Sequence, residues 1–311
     1  IDGDPSRDNY QFSGWTVTGI AYTEGMSSFT MPQNDVVFSA NWTQNEHTLT
    51  IHYVYADGSE AATDHSETLA FGTEYRVTSP VIAGYTADQT VVSGTMPDDD
   101  VTVTVTYTAN EHTLTIHYVY ADGSEAATDY SETLAFGTEY RVTSPTIEGY
   151  TASRTVVSGT MPDDDVTETV TYTANEHTLT IRYVYAGGGE AAPDYSATVA
   201  YGAGYSVTSP TIEGYTASQT VVSGTMPDDD VTVTVTYTAN EYTVTWKNDN
   251  GETLAAETYH YLDMPSYKGA TPVKPGDAFY TYHFAGWEPT IVAVTANAVY
   301  TAVYEAMPID P

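Results

Sequence analysis

No cysteine occurs in the 311 residues. Disulfides, thiolate nucleophiles, cysteine-based zinc sites and cysteine thioesters are therefore excluded together, whereas the compartment is not, because a secreted protein need not use disulfides. Basic residues are almost as scarce, 8 Lys and Arg against 42 Asp and Glu, for a net charge of −34. A field of that sign repels phosphate backbones and anionic bilayers, so no nucleic acid and no membrane surface is expected as a direct partner. No apolar run approaches the roughly 18 residues of a membrane span, so no insertion is expected within this segment. The opening Ile1-Asp2-Gly3-Asp4 has no basic or apolar targeting stretch, and a signal peptide or wall anchor is expected outside the segment. Lysine is confined to Lys247, Lys268 and Lys274. Lys–Asn isopeptide staples are thus excluded from everything before residue 247 and stay open only near the end.

The residues that are plentiful suit a pleated, half-buried surface. There are 28 tyrosines, with abundant Thr and Val, and such β-branched and aromatic content argues against disorder despite the charge. The chain repeats with a period of 65 residues. Asn45-Glu46-His47 returns as Asn110-Glu111-His112, Asn175-Glu176-His177 and Asn240-Glu241-Tyr242. Residues 45–109 and 110–174 differ at six positions: His65/Tyr130, Val81/Thr146, Ala83/Glu148, Asp88/Ser153, Gln89/Arg154 and Val103/Glu168. The third copy, 175–239, has drifted further, with Gly187-Gly188-Gly189 in place of Asp122-Gly123-Ser124. Duplication favours products whose value grows with copy number, such as length and valency.

Within a copy the hydrophobic period is two. Leu49, Ile51, Tyr53 and Tyr55 point one way and Thr48, Thr50 and His52 the other, as in a strand with one buried face. Asp57-Gly58 then predicts a two-residue hairpin with positive φ at both central positions, and a return strand through roughly 64–70. The copy closes on the alternating Val101–Thr108, in which Glu168 of the second copy is expected near a strand end, within reach of water. Tyr107-Thr108-Ala109-Asn110-Glu111-His112 runs from one copy into the next without a Gly/Ser- or Pro-rich linker, which predicts a stiff rod rather than beads on a string. With about 27 Å per eight-residue strand, each module should add roughly 35–45 Å.

Residues 240–311 open like a further copy with Thr243-Val244-Thr245-Trp246 and a turn at Asn250-Gly251, then diverge into Pro272-Val273-Lys274 and Phe284-Ala285-Gly286-Trp287. Residues 1–44 carry the second half of that pattern: Pro5-Ser6-Arg7, Phe12-Ser13-Gly14-Trp15 and a closing strand over 36–42. The segment is thus expected to begin inside a module whose opening strands lie elsewhere.

The 65-residue copies resemble the MucBP (mucin-binding protein) repeats of Gram-positive surface adhesins. The resemblance rests on Tyr53-Val54-Tyr55-Ala56-Asp57-Gly58, Gly72 with Tyr75, Gly84-Tyr85-Thr86 and Val105-Thr106-Tyr107. The flanking modules resemble internalin-type B-repeats (Listeria–Bacteroides repeats) through Pro-x-Lys/Arg and Phe-x-Gly-Trp. The resemblance implies small β-grasp-like modules strung between a wall anchor and a distal adhesive tip. It places the chain on the outside of a bacterial cell, with a mucin-like glycoprotein or another surface protein as the partner class beside the neighbouring modules. Binding of sialylated mucin, credited to some such proteins, is opposed by this chain's charge. The fold class expected is mainly β, with small α+β modules as the alternative, in a tandem array.

The acidic runs Asp98-Asp99-Asp100, Asp163-Asp164-Asp165 and Asp228-Asp229-Asp230 are the candidate metal residues. Clustered carboxylates supply oxygen ligands to Ca²⁺ at low affinity, but consecutive residues do not converge on one ion and the EF-hand spacing is missing. A solvated turn before a strand is the preferred reading, and no cofactor is expected. His47 and His52 lie five apart on one strand and face opposite sides, and His52 becomes Arg182, so neither reads as a metal ligand. Asp64, His65 and Glu67 lack a nucleophile beside them, and His65 is replaced by Tyr130 and Tyr195; no enzyme is expected. The two Phe-x-Gly-Trp motifs read as core anchors before sugar platforms. Four of the six differences cluster around Gly84-Tyr85, which is either a drifting loop or a varying recognition surface. In the second case Tyr85, Tyr150 and Tyr215 are the ligand-binding candidates. The leading expectation is a non-catalytic stalk, with weak binding by each repeat and avidity from repetition as the alternative.

Overall fold

The computed structural model describes residues 3–309. They fall into two compact units, one of residues up to 145 with 153–171, the other of 146–152 with 172 onward, so the second repeat contributes to both. Among the described residues every regular element is a strand and no helix is present.

In the first unit, β1 (Tyr10–Thr18) and β2 (Val37–Gln44) pair antiparallel with a bulge between Phe12 and Gly14. The first repeat comprises β3 (Glu46–Tyr55), β4 (Glu60–Ala70), β5 (Glu74–Thr78), β6 (Tyr85–Ala87), β7 (Val91–Thr95) and β8 (Val101–Ala109). Four of these form one sheet in the order β4-β3-β8-β6, with β3 and β8 parallel from Leu49↔Val101 to Tyr55↔Tyr107. A parallel pair needs a crossover. Here β5 and β7 carry it, pairing as a second, two-stranded sheet from Glu74↔Thr95 to Thr78↔Val91. That small sheet closes the apolar face: Val92 and Met96 pack with Leu49, Ile51, Tyr53, Val105 and Tyr107, all at most 3% exposed. Each such side chain contributes about 1.5–3 kcal/mol by burial.

Alternation puts Leu49, Ile51 and Tyr53 inside, as their spacing predicts. The hairpin after them departs from the expected two-residue turn. Gly58 N–H bonds the Tyr55 carbonyl at 2.9 Å and Tyr55 N–H bonds that of Ser59 at 2.8 Å. Only Gly58 is left-handed, at φ +85°, which is a three-residue loop with a glycine bulge. Asp57 stays outside that region because its carboxylate accepts both the N–H and the Oγ–H of Ser59.

The second repeat has the same elements, β9 (Glu111–Tyr120), β10 (Glu125–Ala135), β11 (Glu139–Thr143), β12 (Tyr150–Ala152), β13 (Val156–Thr160) and β14 (Val166–Ala174). In the second unit the third repeat comprises β15 (Glu176–Tyr185), β16 (Glu190–Ala200), β17 (Gly204–Thr208), β18 (Tyr215–Ala217), β19 (Val221–Thr225) and β20 (Val231–Ala239), with the sheet order β16-β15-β20-β18. The last module keeps that order with four strands: β21 (Glu241–Lys247), β22 (Thr253–His260), β23 (Tyr280–Glu288) and β24 (Ala298–Pro308) form β22-β21-β24-β23, β21 and β24 being parallel. Its core is aromatic, with Trp246 stacked on Tyr300 at 5.1 Å and edge-on to Trp287 at 4.7 Å. The bulge between Phe284 and Gly286 repeats the one between Phe12 and Gly14. Both Phe-x-Gly-Trp motifs thus mark a bulged strand whose Trp joins an aromatic cluster, Trp15 meeting Phe12 at 5.2 Å and Phe38 at 6.0 Å.

Candidate functional site

The residues singled out by recurrence converge on the joints between modules. One residue, Asn110, separates β8 from β9, and its polar groups all have partners. Its N–H donates to the Gly84 carbonyl (2.9 Å) and its carbonyl accepts from Phe136 N–H (2.7 Å). Its Oδ1 accepts from Thr86 Oγ1 (2.7 Å) and its Nδ2 donates to Asp163 Oδ1 (2.7 Å). Asn175 repeats the set with Gly149, Tyr201, Thr151 and Asp228. Asn240 makes three of the bonds, with Gly214, Tyr261 and Thr216. At the first joint Asn45 donates to the carbonyl of Asn9, accepts from Phe71 N–H and donates to Asp98.

A ring seals each joint. Phe136 lies over Gly84 and meets Tyr85 edge-on at 5.7 Å. Gly84 is left-handed at φ +79°, and a Cβ there would collide with the Phe136 ring. Glycine is therefore required twice, by the backbone angle and by the ring seat. Tyr201 covers Gly149 and meets Tyr150, and Tyr261 covers Gly214 and meets Tyr215, each at 5.7 Å. Phe71 meets Tyr10 at 6.4 Å. The ligand-binding candidates Tyr85, Tyr150 and Tyr215 are thus half-buried joint residues. Tyr85 and Tyr215 are flanked on their other side by Tyr55 and Tyr185 of their own repeats, at 4.7 and 4.8 Å.

The acidic runs divide their labour in the same way in every copy. The first member, Asp98, Asp163 or Asp228, accepts from the joint asparagine and from Nε2 of His47, His112 or His177. The second, Asp99, Asp164 or Asp229, accepts the N–H of the residue after it. The third, Asp100, Asp165 or Asp230, accepts the N–H of Thr48, Thr113 or Thr178 at 2.6–2.7 Å. The asparagine bond first, then the histidine bond, holds the carboxyls of Asp98, Asp163 and Asp228 below the ordinary carboxylate range. Among the described residues no group of three or more His, Asp or Glu is arranged to hold a metal ion.

His52 lies on the other face and pairs across strands with Asp64 at 2.7 Å; Arg182 and Asp194 take these places in the third repeat at 3.9 Å. His65 reaches Glu67 at 3.4 Å, apart from the Asp64 pair. Lys274 of the last module meets Asp249 at 2.7 Å, and that bond raises its pKa, keeping it an ammonium rather than an amine nucleophile. Sequence reasoning missed the joint asparagines and the aromatic ring at positions 71, 136, 201 and 261. Their recurrence was visible; their partners, 24 to 53 positions away, were not.

Tandem β-modules joined through a bonded asparagine define a repeat protein of linked domains. Residues 48–108, 113–173 and 178–238 match the MucBP domain family, together more than half of the chain, and the chain belongs to that family. Residues 6–46 match the divergent InlB B-repeat domain. The chain is similar to Internalin J of Listeria monocytogenes, at 31% identity over 63% of this chain and 24% of that protein for serovar 1/2a, and 31% over 70% and 26% for serotype 4b. It spans about a quarter of the length of those relatives. Among solved structures, a MucBP domain of a Lactobacillus acidophilus protein is 30% identical, covering 21% of this chain and 92% of that one, with a TM-score of 0.19. The Bacillus anthracis TIE protein covers 65% and 55% at 13% identity and a TM-score of 0.43.

Proposed function

We propose that this chain is the non-catalytic stalk region of a bacterial cell-surface adhesin, holding a binding region away from the envelope. The observation that carries the reading is the joint itself. A one-residue link whose asparagine is bonded on both sides, under a ring seated on a glycine, leaves neighbours little freedom to bend. A net charge of −34 adds self-repulsion that favours extension and solubility. Small-angle scattering of the 311-residue chain tests this. A maximum dimension of about 150–200 Å is expected from the rise per module, and one under about 80 Å overturns it.

A second reading is favoured by a cleft of about 270 Å³ in the third repeat, lined by Ser209, Tyr215, Thr216 and Tyr237 among others. Hydroxyls beside aromatic rings suit a sugar, so each repeat would hold a glycan weakly and gain by avidity. Single repeats on a glycan array, with and without calcium, separate the two: saturable binding by one repeat overturns the pure stalk.

A further inference from the structure

We infer that Asp163 latches the second repeat to the first, and that the joints at the two ends of the repeat array lack this latch. Asp163 Oδ1 is occupied within its own repeat by Asn110 and His112, while Oδ2 turns back and accepts the N–H of Gly84 at 3.1 Å. At Asp228 the Gly149 N–H is only the least of the influences that hold the carboxyl low. The Asp163 carboxylate thus ties the turn before β14 to the joint asparagine, to the adjacent histidine and to the upstream repeat.

The end joints differ in composition. At the first, Asn9 stands where Gly84 stands in the repeats, offering its carbonyl to Asn45 N–H. Asp98 makes the asparagine and histidine bonds at 2.8 and 3.0 Å but, among the described residues, receives no N–H from the upstream module. At the fourth, Asn297 takes the role of Asp230 by accepting Thr243 N–H at 2.8 Å. Two positions earlier, where Asp228 precedes Asp230, the residue is Thr295, and the histidine position is Tyr242. Among the described residues no carboxylate accepts the Gly214 N–H.

The chain-borne contacts, asparagine N–H to glycine carbonyl and ring on glycine, lie close to the link and restrain bending more than twist about it. A charge-assisted bond from a residue 79 positions downstream acts off that axis and fixes the twist. The inference holds whether the repeats act as a stalk or as glycan sites. Its failure would be a free joint, whereas theirs is read from scattering and from the array.

Amide hydrogen exchange on the whole chain tests it. In the unaltered protein, the Gly84 amide is expected to exchange about tenfold more slowly than that of Gly214, the effect of one charge-assisted bond. Equal rates at these two amides overturn the latch. In Asp163→Asn, the single remaining acceptor oxygen serves either Asn110 and His112 or Gly84, and Gly84 is expected to exchange about tenfold faster. Asp98→Asn, which loses the same bonds within its own repeat, is expected to leave Gly84 and Gly149 unchanged. Acceleration of Gly84 by both variants, or by neither, overturns the inference. The comparison within the unaltered chain decides the matter if either variant unfolds.

Discussion

Asparagine suits the joint because one short side chain carries both a donor and an acceptor. At Asn110 the donor end faces the downstream turn through Asp163 and the acceptor end faces the preceding repeat through Thr86. Aspartate there would repel Asp163, and serine would not reach both ways. The carboxylates that meet these asparagines give a prediction about acid. Their pKa values lie below the ordinary 3.8 in the folded chain, so their contribution to stability is fully present above that value and lost as pH falls through the lowered ones. The thermal midpoint followed by circular dichroism is expected to change little between pH 7 and about 5 from these groups, then to fall below about pH 4. The triple variant Asp98→Asn, Asp163→Asn, Asp228→Asn is expected to start lower and to lose much of that acid-dependent decline. A variant that keeps the full decline would show that other carboxylates govern it.

At the scale of the strand, the differences between the first two repeats prove to be partly coordinated. Asp88 accepts the N–H of Thr106, and Ser153 and Ser218 do the same for Thr171 and Thr236, so a change of residue leaves the bond in place. Gln89 and Val103 become Arg154 and Glu168 together, and Arg154 Nη2 meets Glu168 Oε2 at 2.7 Å. Glu168 is the third residue of β14, where its carboxylate keeps contact with water and gains a charge partner that the sequence did not disclose. Val81, by contrast, is 98% exposed, and nothing in the structure explains its replacement by Thr146. A double-mutant cycle of Arg154→Gln and Glu168→Val is expected to give a coupling of about 0.2–1 kcal/mol, that of a half-exposed ion pair. A coupling of zero in thermal or urea unfolding would mean that the two changes are independent. The repeat, the strands and the inward alternation of Leu49, Ile51 and Tyr53 were legible because they are local and periodic. The parallel pairing of β3 with β8, the covering sheet β5–β7 and the Asp–Asn–His clusters were not. Each joins residues some 13 to 53 positions apart, and pairing across such distances leaves no mark on local pattern. The two-residue hairpin failed for a subtler reason: an Asp-Gly pair serves equally a turn in which only the glycine turns left-handed.

At the scale of the whole molecule, each repeat carries both halves of a joint. The Gly-Tyr-Thr seat at residues 84–86 receives the next module, and the asparagine, ring and carboxylate engage the preceding one. Removal of residues 110–174 would bring Asn175 directly after Ala109, with Tyr201 and Asp228 facing Gly84 in place of Phe136 and Asp163. That shortened chain is expected to fold with a thermal midpoint within about 4–8 °C of the parent, the shift that 1 kcal/mol causes in a domain the size of one repeat. Its longest dimension by scattering should fall by roughly 35–45 Å. A large loss of stability would show that the repeats are tuned to their particular neighbours. Because every cut at this period regenerates a matched seat and plug, unequal crossing-over between the copies in the gene would lengthen or shorten the protein without breaking a single interface. The number of repeats then becomes a trait that selection adjusts in whole steps, by recombination rather than by point mutation.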